Sequence, residues 1–176
     1  QTHYMDIKNV ADAIKEVVKK HSNVKFLLGG WLDCVHFKDM DDIIKVEWTN
    51  DMNKHYQNIS QIDIGLAPLW DEKFNYSKSP IKYLELAALG IPVIASNVGP
   101  YAETIKNGET GILVKSKGKL HTRWVQAMEE LVSDKVKRKT IGRNAQKYVR
   151  KKYNSKRITE AYAHFLSSAQ KLHCKR

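Results

Sequence analysis

The stretch SKSPIKYLELAALGIPVIAS, residues 77–96, carries a helix start, a helix, a stop and a strand in immediate succession. Ser79 is a side chain suited to an N-cap. Pro80 falls at the first helical position, where its missing N–H costs nothing. IKYLELAAL then follows a helical pattern that Gly90 ends. IPVIAS is a short apolar run bounded by turn residues, which predicts a buried strand. One carboxylate, Glu85, stands inside the apolar helix.

The same alternation extends in both directions. Upstream, residues 6–20 place Ile7, Val10, Ile14, Val17 and Val18 on one helical face. Strands are predicted over 24–30 (VKFLLGG), 42–48 (DIIKVEW) and 62–70 (IDIGLAPLW), with a short helix, MNKHYQNISQ, behind Asn50 and Asp51. A polar loop is expected after the 62–70 strand, to about residue 78. Downstream come a short helix opened by Pro100 and a strand over 110–115 after the turn Asn107-Gly108. Three helices close the chain. In the first, Trp124, Val125, Met128, Leu131 and Val132 share a face; in the last, Ile158, Ala161, Phe165, Ala169 and Leu172 do. Most strands are continuous apolar runs, as in a parallel sheet covered on both faces by helices. The fold class is therefore α/β, a Rossmann-like parallel sheet flanked by helices. A doubly wound domain ordinarily opens on a strand, so the first strand is expected to be missing. One domain over residues 1–176 suits the length.

Composition narrows the classes. At 176 residues and 42% apolar content, the chain can bury a core. No run approaches the roughly 20 apolar residues of a membrane span, and the polar opening Gln1-Thr2-His3-Tyr4 lacks a secretory pattern. Cys34 and Cys174 have no metal-binding spacing and read as thiols of a reducing compartment, with a single disulfide the lesser alternative. The seven histidines show no ligand spacing, so no metal site is expected. Phosphate-loop, dinucleotide and nucleophile-elbow motifs are absent.

The net charge of +11 has one address. Residues 135–157, KVKRKTIGRNAQKYVRKKYNSKR, hold eleven Lys and Arg and no acid. This segment is either a solvated helix face or a surface for anions such as acidic lipid. Nucleic acid is not expected as a partner, because no aromatic stacking platform is expected to interleave with the lysines.

In an open parallel sheet, ligands sit beyond the C-terminal ends of the strands. The loop over 71–79 lies at that end, and the helix it enters points free N–H groups there, a favourable place for phosphate. Glu85 is then either a carboxylate at the edge of a cleft or a plain exposed helix residue.

SPIKYLELAALGIPVIASNVGPYAETIKNGETGILV resembles the donor-binding half of the GT-B glycosyltransferases, in particular the retaining group of family 4. That family's pattern runs E-x7-E, a small-residue helix, G-x-P-V-I-A-S, a glycine, E-x-I/V and N/D-G-x-x-G-x-L-V, and residues 62–115 follow it closely. The resemblance implies the C-terminal half of a GT-B fold and a hexosyltransferase-type activity in glycan or polysaccharide biosynthesis. Glu85 matches the second glutamate of E-x7-E, which implies a hold on the ribose hydroxyls of a nucleotide sugar; a carboxylate can accept both hydrogen bonds of a vicinal diol. The first glutamate position is Ser77, a departure that alters sugar recognition. By the same resemblance Lys78, Ser79, Pro80 and Ile81 form the loop whose amides approach sugar and diphosphate. Lys82 or Lys78 adds positive charge, and Trp48 and Thr49 follow the second strand where the base-binding loop sits. Trp48 is read either as a base contact or, preferentially, as a core residue. The cations that the family places near its first strand-to-helix loop have no counterpart before Lys8, and His3 is the remaining candidate for a phosphate or sugar contact. Gly99, Glu103, Gly108 and Gly111 also match; for these four the structural reading, tight turns and a helix start, is preferred.

The resulting expectation is a domain that binds a nucleotide diphosphate sugar, UDP- or GDP-linked, for transfer to an acceptor hydroxyl with retention. No cofactor or metal is called for, and no catalytic residue is assigned. The acceptor would belong to an N-terminal domain absent from this chain, and a C-terminal helix over 152–176 would pack toward it. The chain alone would transfer poorly. A cytoplasmic location is expected, peripheral at the inner membrane face if 135–157 meets lipid. The alternative is a non-catalytic nucleotide-sugar-binding or scaffolding domain whose site has decayed.

Overall fold

The computed structural model describes residues 4–30, 34–156 and 159. The chain runs α1 (Tyr4–Lys20), β1 (Phe26–Gly29), a single 3-10 turn (Cys34–Phe37), β2 (Ile43–Val46), α2 (Met52–Ser60), β3 (Gly65–Ala67), α3 (Lys73–Tyr76), α4 (Ile81–Ala88), β4 (Val93–Ser96), α5 (Gly99–Thr104), β5 (Ile112–Val114), α6 (Leu120–Ser133) and α7 (Lys135–Lys152). Every strand pairing is parallel, as the apolar strands predicted. The ladder, however, is split: β1 pairs with β2, while β3, β4 and β5 form a second sheet in that order. The registers are Leu28 opposite Lys45, Leu66 opposite Ile94, and Ala95 opposite Leu113.

The two sheets share one core. Along β4, Ile94 faces α1 and α6, while Val93 and Ala95 face α4, α5 and α7, as a two-residue period requires. On the first side α1 buries Val10, Ala13, Ile14 and Val17 against Trp124, Met128 and Leu131 of α6. On the second, Tyr83 and Ala87 of α4 pack with Ala145 and Val149 of α7. Strand β2 departs from the fully covered pattern: Ile44 is exposed and only the end residues are half-buried, as suits a sheet edge.

The decisive stretch forms as expected, with one shift at its start. Pro80, and not Ser79, is the N-cap residue, and no side chain caps this helix. The Pro80 carbonyl accepts the first helical bond, from Leu84 N–H at 3.0 Å. At the other end Gly90 adopts φ +79, its N–H donates to Ala87 O at 2.9 Å, and Ile91 N–H donates to Leu86 O at 3.0 Å. That pair of bonds is a Schellman stop, and glycine is needed for its left-handed residue. Helix α7 starts on Asp134, whose carboxylate accepts from Lys137 N–H at 2.8 Å.

The polar loop expected after β3 is not continuous loop, since it contains α3. The closing helix expected over 152–176 has a different start: Lys152 belongs to α7. Most of that helix, with its apolar face, lies outside the described residues, as do His3 and Cys174.

Candidate functional site

The loop leaving β3 is tied down at several points. Leu69 N–H donates to the buried Ser96 Oγ at the end of β4, 2.9 Å away. Trp70 N–H donates to Asp6 Oδ1 at 2.7 Å, which joins the loop to the first turn of α1. Trp70 O accepts from the buried Asn75 Nδ2 at 2.6 Å. Asp71 accepts from the hydroxyls of Tyr76 and Ser116, each at 2.9 Å. Those bonds, Tyr76 first, hold its carboxyl below the ordinary carboxylate range. Gly99 at φ +48 lets α5 approach this loop, because a Cβ there would lie 2.9 Å from Asn75 O.

Against this fixed loop opens a cavity of about 180 Å³ lined by Leu69, Lys78, Ser79, Ile81, Lys82 and Tyr101. It lies at the N-terminus of α4, whose first-turn N–H groups have no partner within the helix. Lys78, in the loop before α4, and Lys82, on the first turn of that helix, both stand on the cavity wall. The Lys78 side chain is only 20% exposed, and its Nζ lies 3.8 Å from Asp6 Oδ2, itself 3% exposed. The same ammonium stands 5.2 Å from the centre of the Phe74 ring. Lys78 Nζ is buried and has no hydrogen-bond acceptor among the described residues. Lys82 keeps an exposed surface, yet burial around its ammonium pulls its pKa below the usual lysine value; Asp6 opposes this, Lys78 adds to it, and Glu85 opposes it. Burial, and then the Asp6 charge, push the Tyr101 phenol far up, so it stays a neutral donor.

Glu85 continues the row along α4. Its side chain is 28% exposed, and its Oε2 lies 3.9 Å from Nε2 of His55 on α2. It is therefore neither wholly buried nor a plain surface residue. Asp51 N-caps α2, accepting from Asn53 N–H at 2.8 Å, and Thr49 Oγ1 accepts from Asp51 N–H at 3.1 Å. Those bonds place His55 on the first turns of α2. Trp48, preferred above as a core residue, is instead 51% exposed beside that cap. The edge position of β2 explains this, since among the described residues it pairs on one side only, with β1. Ser77 is exposed at the end of α3, and Pro80 is half-buried and does not line the cavity, although its neighbours Ser79 and Ile81 do. Glu103, expected at a helix start, sits near the end of α5 and is exposed.

The structure thus gathers Lys78, Ser79, Ile81 and Lys82 around one cavity, with Glu85 one turn further along α4. Asp6, His55 and Tyr101 were not singled out in the sequence. Asp6 looks like an ordinary first-turn acid, His55 is 30 positions from Glu85, and Tyr101 reads as core. Among the described residues no group of three or more His, Cys, Asp or Glu is placed to hold a metal ion, and no helix is long and apolar enough to cross a membrane.

The basic helix is mostly solvent-facing. Arg138 turns inward and donates to Leu131 O at 2.7 Å, closing the end of α6. The stretch does carry rings: Tyr148 and Tyr153 are half-buried, and the Lys152 ammonium lies 5.4 and 5.3 Å from their centres. They are engaged with a neighbouring cation, which leaves less of each face for stacking.

Residues 2–134 match the family model of the glycosyl transferases group 1. Over 163 residues the chain is 30% identical to the capsular polysaccharide biosynthesis glycosyltransferase CapM of Staphylococcus aureus; this covers 88% of the chain but 40% of CapM. It is 37% identical over 83 residues to the D-inositol 3-phosphate glycosyltransferase of Paenarthrobacter aurescens (strain TC1), covering 47% of the chain and 19% of that protein. The C-terminal domain of LpcC, a glycosyl transferase group 1 family protein of Francisella tularensis, superposes with a TM-score of 0.68 at 23% identity, over 88% of the chain and 81% of that domain. Anabaena HepE, solved with UDP and glucose, superposes with a TM-score of 0.74 at 18% identity, over 92% of the chain and 44% of HepE. The chain spans less than half the length of the curated relatives it matches. Its architecture is that of the C-terminal half of the GT-B fold, and the chain belongs to the glycosyl transferases of group 1.

Proposed function

We propose that this chain binds the nucleoside diphosphate part of a nucleotide sugar and presents the sugar for transfer to an acceptor hydroxyl. The observation that carries the reading is Lys78: a buried ammonium beside a cavity, with donors and no acceptor among the described residues, next to Lys82 and the start of α4. An ammonium offers three N–H donors, and a diphosphate is the anion that fills them, two cations and a helix terminus together. Glu85 takes the ribose hydroxyls, and Trp48 and Thr49 border the base. Ser77, Ser79, Pro80 and Ile81 lie toward the sugar and diphosphate.

In this reading the chain aids transfer by holding the donor and by neutralising the charge that grows on the departing diphosphate, through amides, Lys78 and Lys82. Retention, a UDP or GDP base, no metal requirement and an N-terminal acceptor-binding half belong to the same proposal, as does a cytoplasmic site of action. HepE was solved with UDP and glucose, and TarM of S. aureus with UDP, which favours UDP for the first trial. Because the chain covers 40% of CapM, donor binding without efficient transfer is expected of it alone.

Calorimetric titration with UDP, GDP, ADP and CMP, repeated on Glu85→Ala, tests the reading. Binding of one nucleotide, weakened in the variant, supports it. Ser77, small and exposed where the family pattern has a glutamate, favours the second reading, a scaffolding domain with a decayed site. Absence of binding by all four nucleotides would favour that one.

A further inference from the structure

We propose that the split in the sheet is a receiving slot: β1 and β3 take one further parallel strand between them, a short apolar segment delivered by polypeptide joined ahead of α1.

The slot is defined by its edges. β1 pairs with β2 and β3 pairs with β4, and neither has a strand on its other side among the described residues. Ile44 is exposed, so β2 is the outer strand of its pair and β1 the inner one. Helix α1 lies over both inner edges. Its Val10, Ile14 and Val17 share one core with Phe26 and Leu28 of β1, with Leu66 of β3 and with Ile64 just before it. A helix with its side chains is about 10–12 Å across, and two ladder steps come to about 10 Å. One helix therefore spans room for a single strand.

The backbone turns open groups to the slot. In a parallel strand, successive residues direct their N–H and C=O to alternate edges. Phe26 N–H donates to Asp42 O at 3.1 Å and Gly30 N–H to Val46 O at 3.0 Å, so Leu27 and Gly29 turn away from β2, toward the slot. Gly65 N–H donates to Pro92 O at 2.9 Å, so Leu66 turns away from β4, toward the slot. Burial agrees. All residues of β4, which has a strand on each side, are buried, whereas Phe26, Leu27, Ile64 and Leu66 are only half-buried. Unpaired apolar edges recruit strands.

The direction and origin of the occupant follow from α1. Its first turn meets the loop just past the C-terminal end of β3, where Trp70 N–H donates to Asp6 Oδ1 at 2.7 Å, and its last turn leads to the start of β1. A strand that runs parallel to its neighbours in the slot ends beside the start of α1. With α1 and β1 it then completes one strand–helix–strand crossover. Apolar side chains flank it from both strands, so valine and isoleucine suit it.

The test is amide hydrogen exchange followed by NMR, with thermal unfolding, on the chain as it stands and on the chain carrying an N-terminal extension. The extension has a polar leader, a run of about five alternating valines and isoleucines, and a Gly-Ser link. A second extension carries prolines in the middle of the run and cannot complete a ladder. In the unextended chain, protection of the Leu27, Gly29 and Leu66 amides should be at least about tenfold lower than that of Leu28 and Gly65. The valine-isoleucine extension should remove this difference and raise the melting temperature by about 5 °C or more; the proline extension should do neither. Equal protection already present in the unextended chain overturns the slot: other residues of the chain fill it or, where protection grows with concentration, a second copy does. An extension that leaves these amides unprotected, or an equal gain from the proline extension, overturns the strand as occupant. Should the extended chain not fold, the same valine-isoleucine segment added as a free peptide decides, read at the same amides.

Discussion

The carboxylate of Glu85 on α4 stands 3.9 Å from the imidazole of His55 on α2. Two helices separated by a whole strand unit thus meet where the ribose of a nucleotide is proposed to lie. A diol needs both carboxylate oxygens, and His55 draws on one of them when protonated. Glu85→Ala should weaken nucleotide binding by about tenfold or more, the loss expected for hydrogen bonds to a charged group. Inorganic pyrophosphate, which has no ribose, should bind the variant as it binds the wild type. His55→Ala should alter nucleotide affinity by a smaller factor and also leave pyrophosphate unaffected. Equal losses for nucleotide and pyrophosphate in Glu85→Ala would show that Glu85 does not serve the ribose.

The depressed pKa of Lys82 gives a pH signature. Burial favours its neutral form, so its charge is present below a folded-state pKa that lies under the ordinary lysine value, and is lost above it. Diphosphate affinity should therefore begin to fall on the alkaline side before ordinary lysines titrate, near about pH 10. Lys82→Arg keeps its charge throughout this range. Titrating both proteins with the same nucleotide isolates the effect, because ionisation of the nucleotide is common to the two. Parallel pH profiles would rule Lys82 out as a phosphate contact.

Gly142 of α7 meets the end of α4 backbone to backbone: a Cβ at residue 142 would lie 2.0 Å from Gly90 O. Gly142→Ala should destabilise the fold by about 3 kcal/mol, since main chain must move. Gly29→Ala, where the nearest atom to a new Cβ is 4.0 Å away, serves as the contrast and should change stability little. Urea unfolding of the two variants provides the measurement.

The exposed face of α7 is the natural place to test for a surface partner. Lys147, Lys151 and Lys152 all lie on exposed positions of that helix. Changing the three together to glutamate should weaken sedimentation with phosphatidylglycerol-rich liposomes, most clearly at low salt. Retained binding at low salt would sink the idea that these three lysines meet lipid.

The stretch from Pro80 to Ser96 was readable because each feature there is local. A proline at the start, a glycine at the stop and an unbroken apolar run act within a few residues of themselves. Only the cap slipped by one residue. Helix α3 was not readable: KFNY has no side-chain cap, and it is held by Asn75 reaching Trp70 O and pressing on Gly99. Lys78, Lys82 and Glu85 were visible because the family pattern runs through the loop before α4 and along its first two turns. Asp6 and His55 reach them across the fold, and nothing around either residue in the chain marks that meeting. The exposure of Trp48 was hidden for a related reason, since it depends on which strand ends up at the sheet edge.

Gln146 of α7 donates to Ala88 O at 3.0 Å, filling one of the carbonyls left open at the end of α4. Together with the tight meeting of Gly142 and Gly90, this removes the freedom of α7 to slide or roll on α4. The two helices form a single stiff lever. One arm carries the basic face outward, and the other ends at the cavity beside Lys78 and Lys82. A partner that held the basic arm would also fix the direction in which α4 aims its first turn, so docking and orientation of the proposed anion site would be one mechanical event.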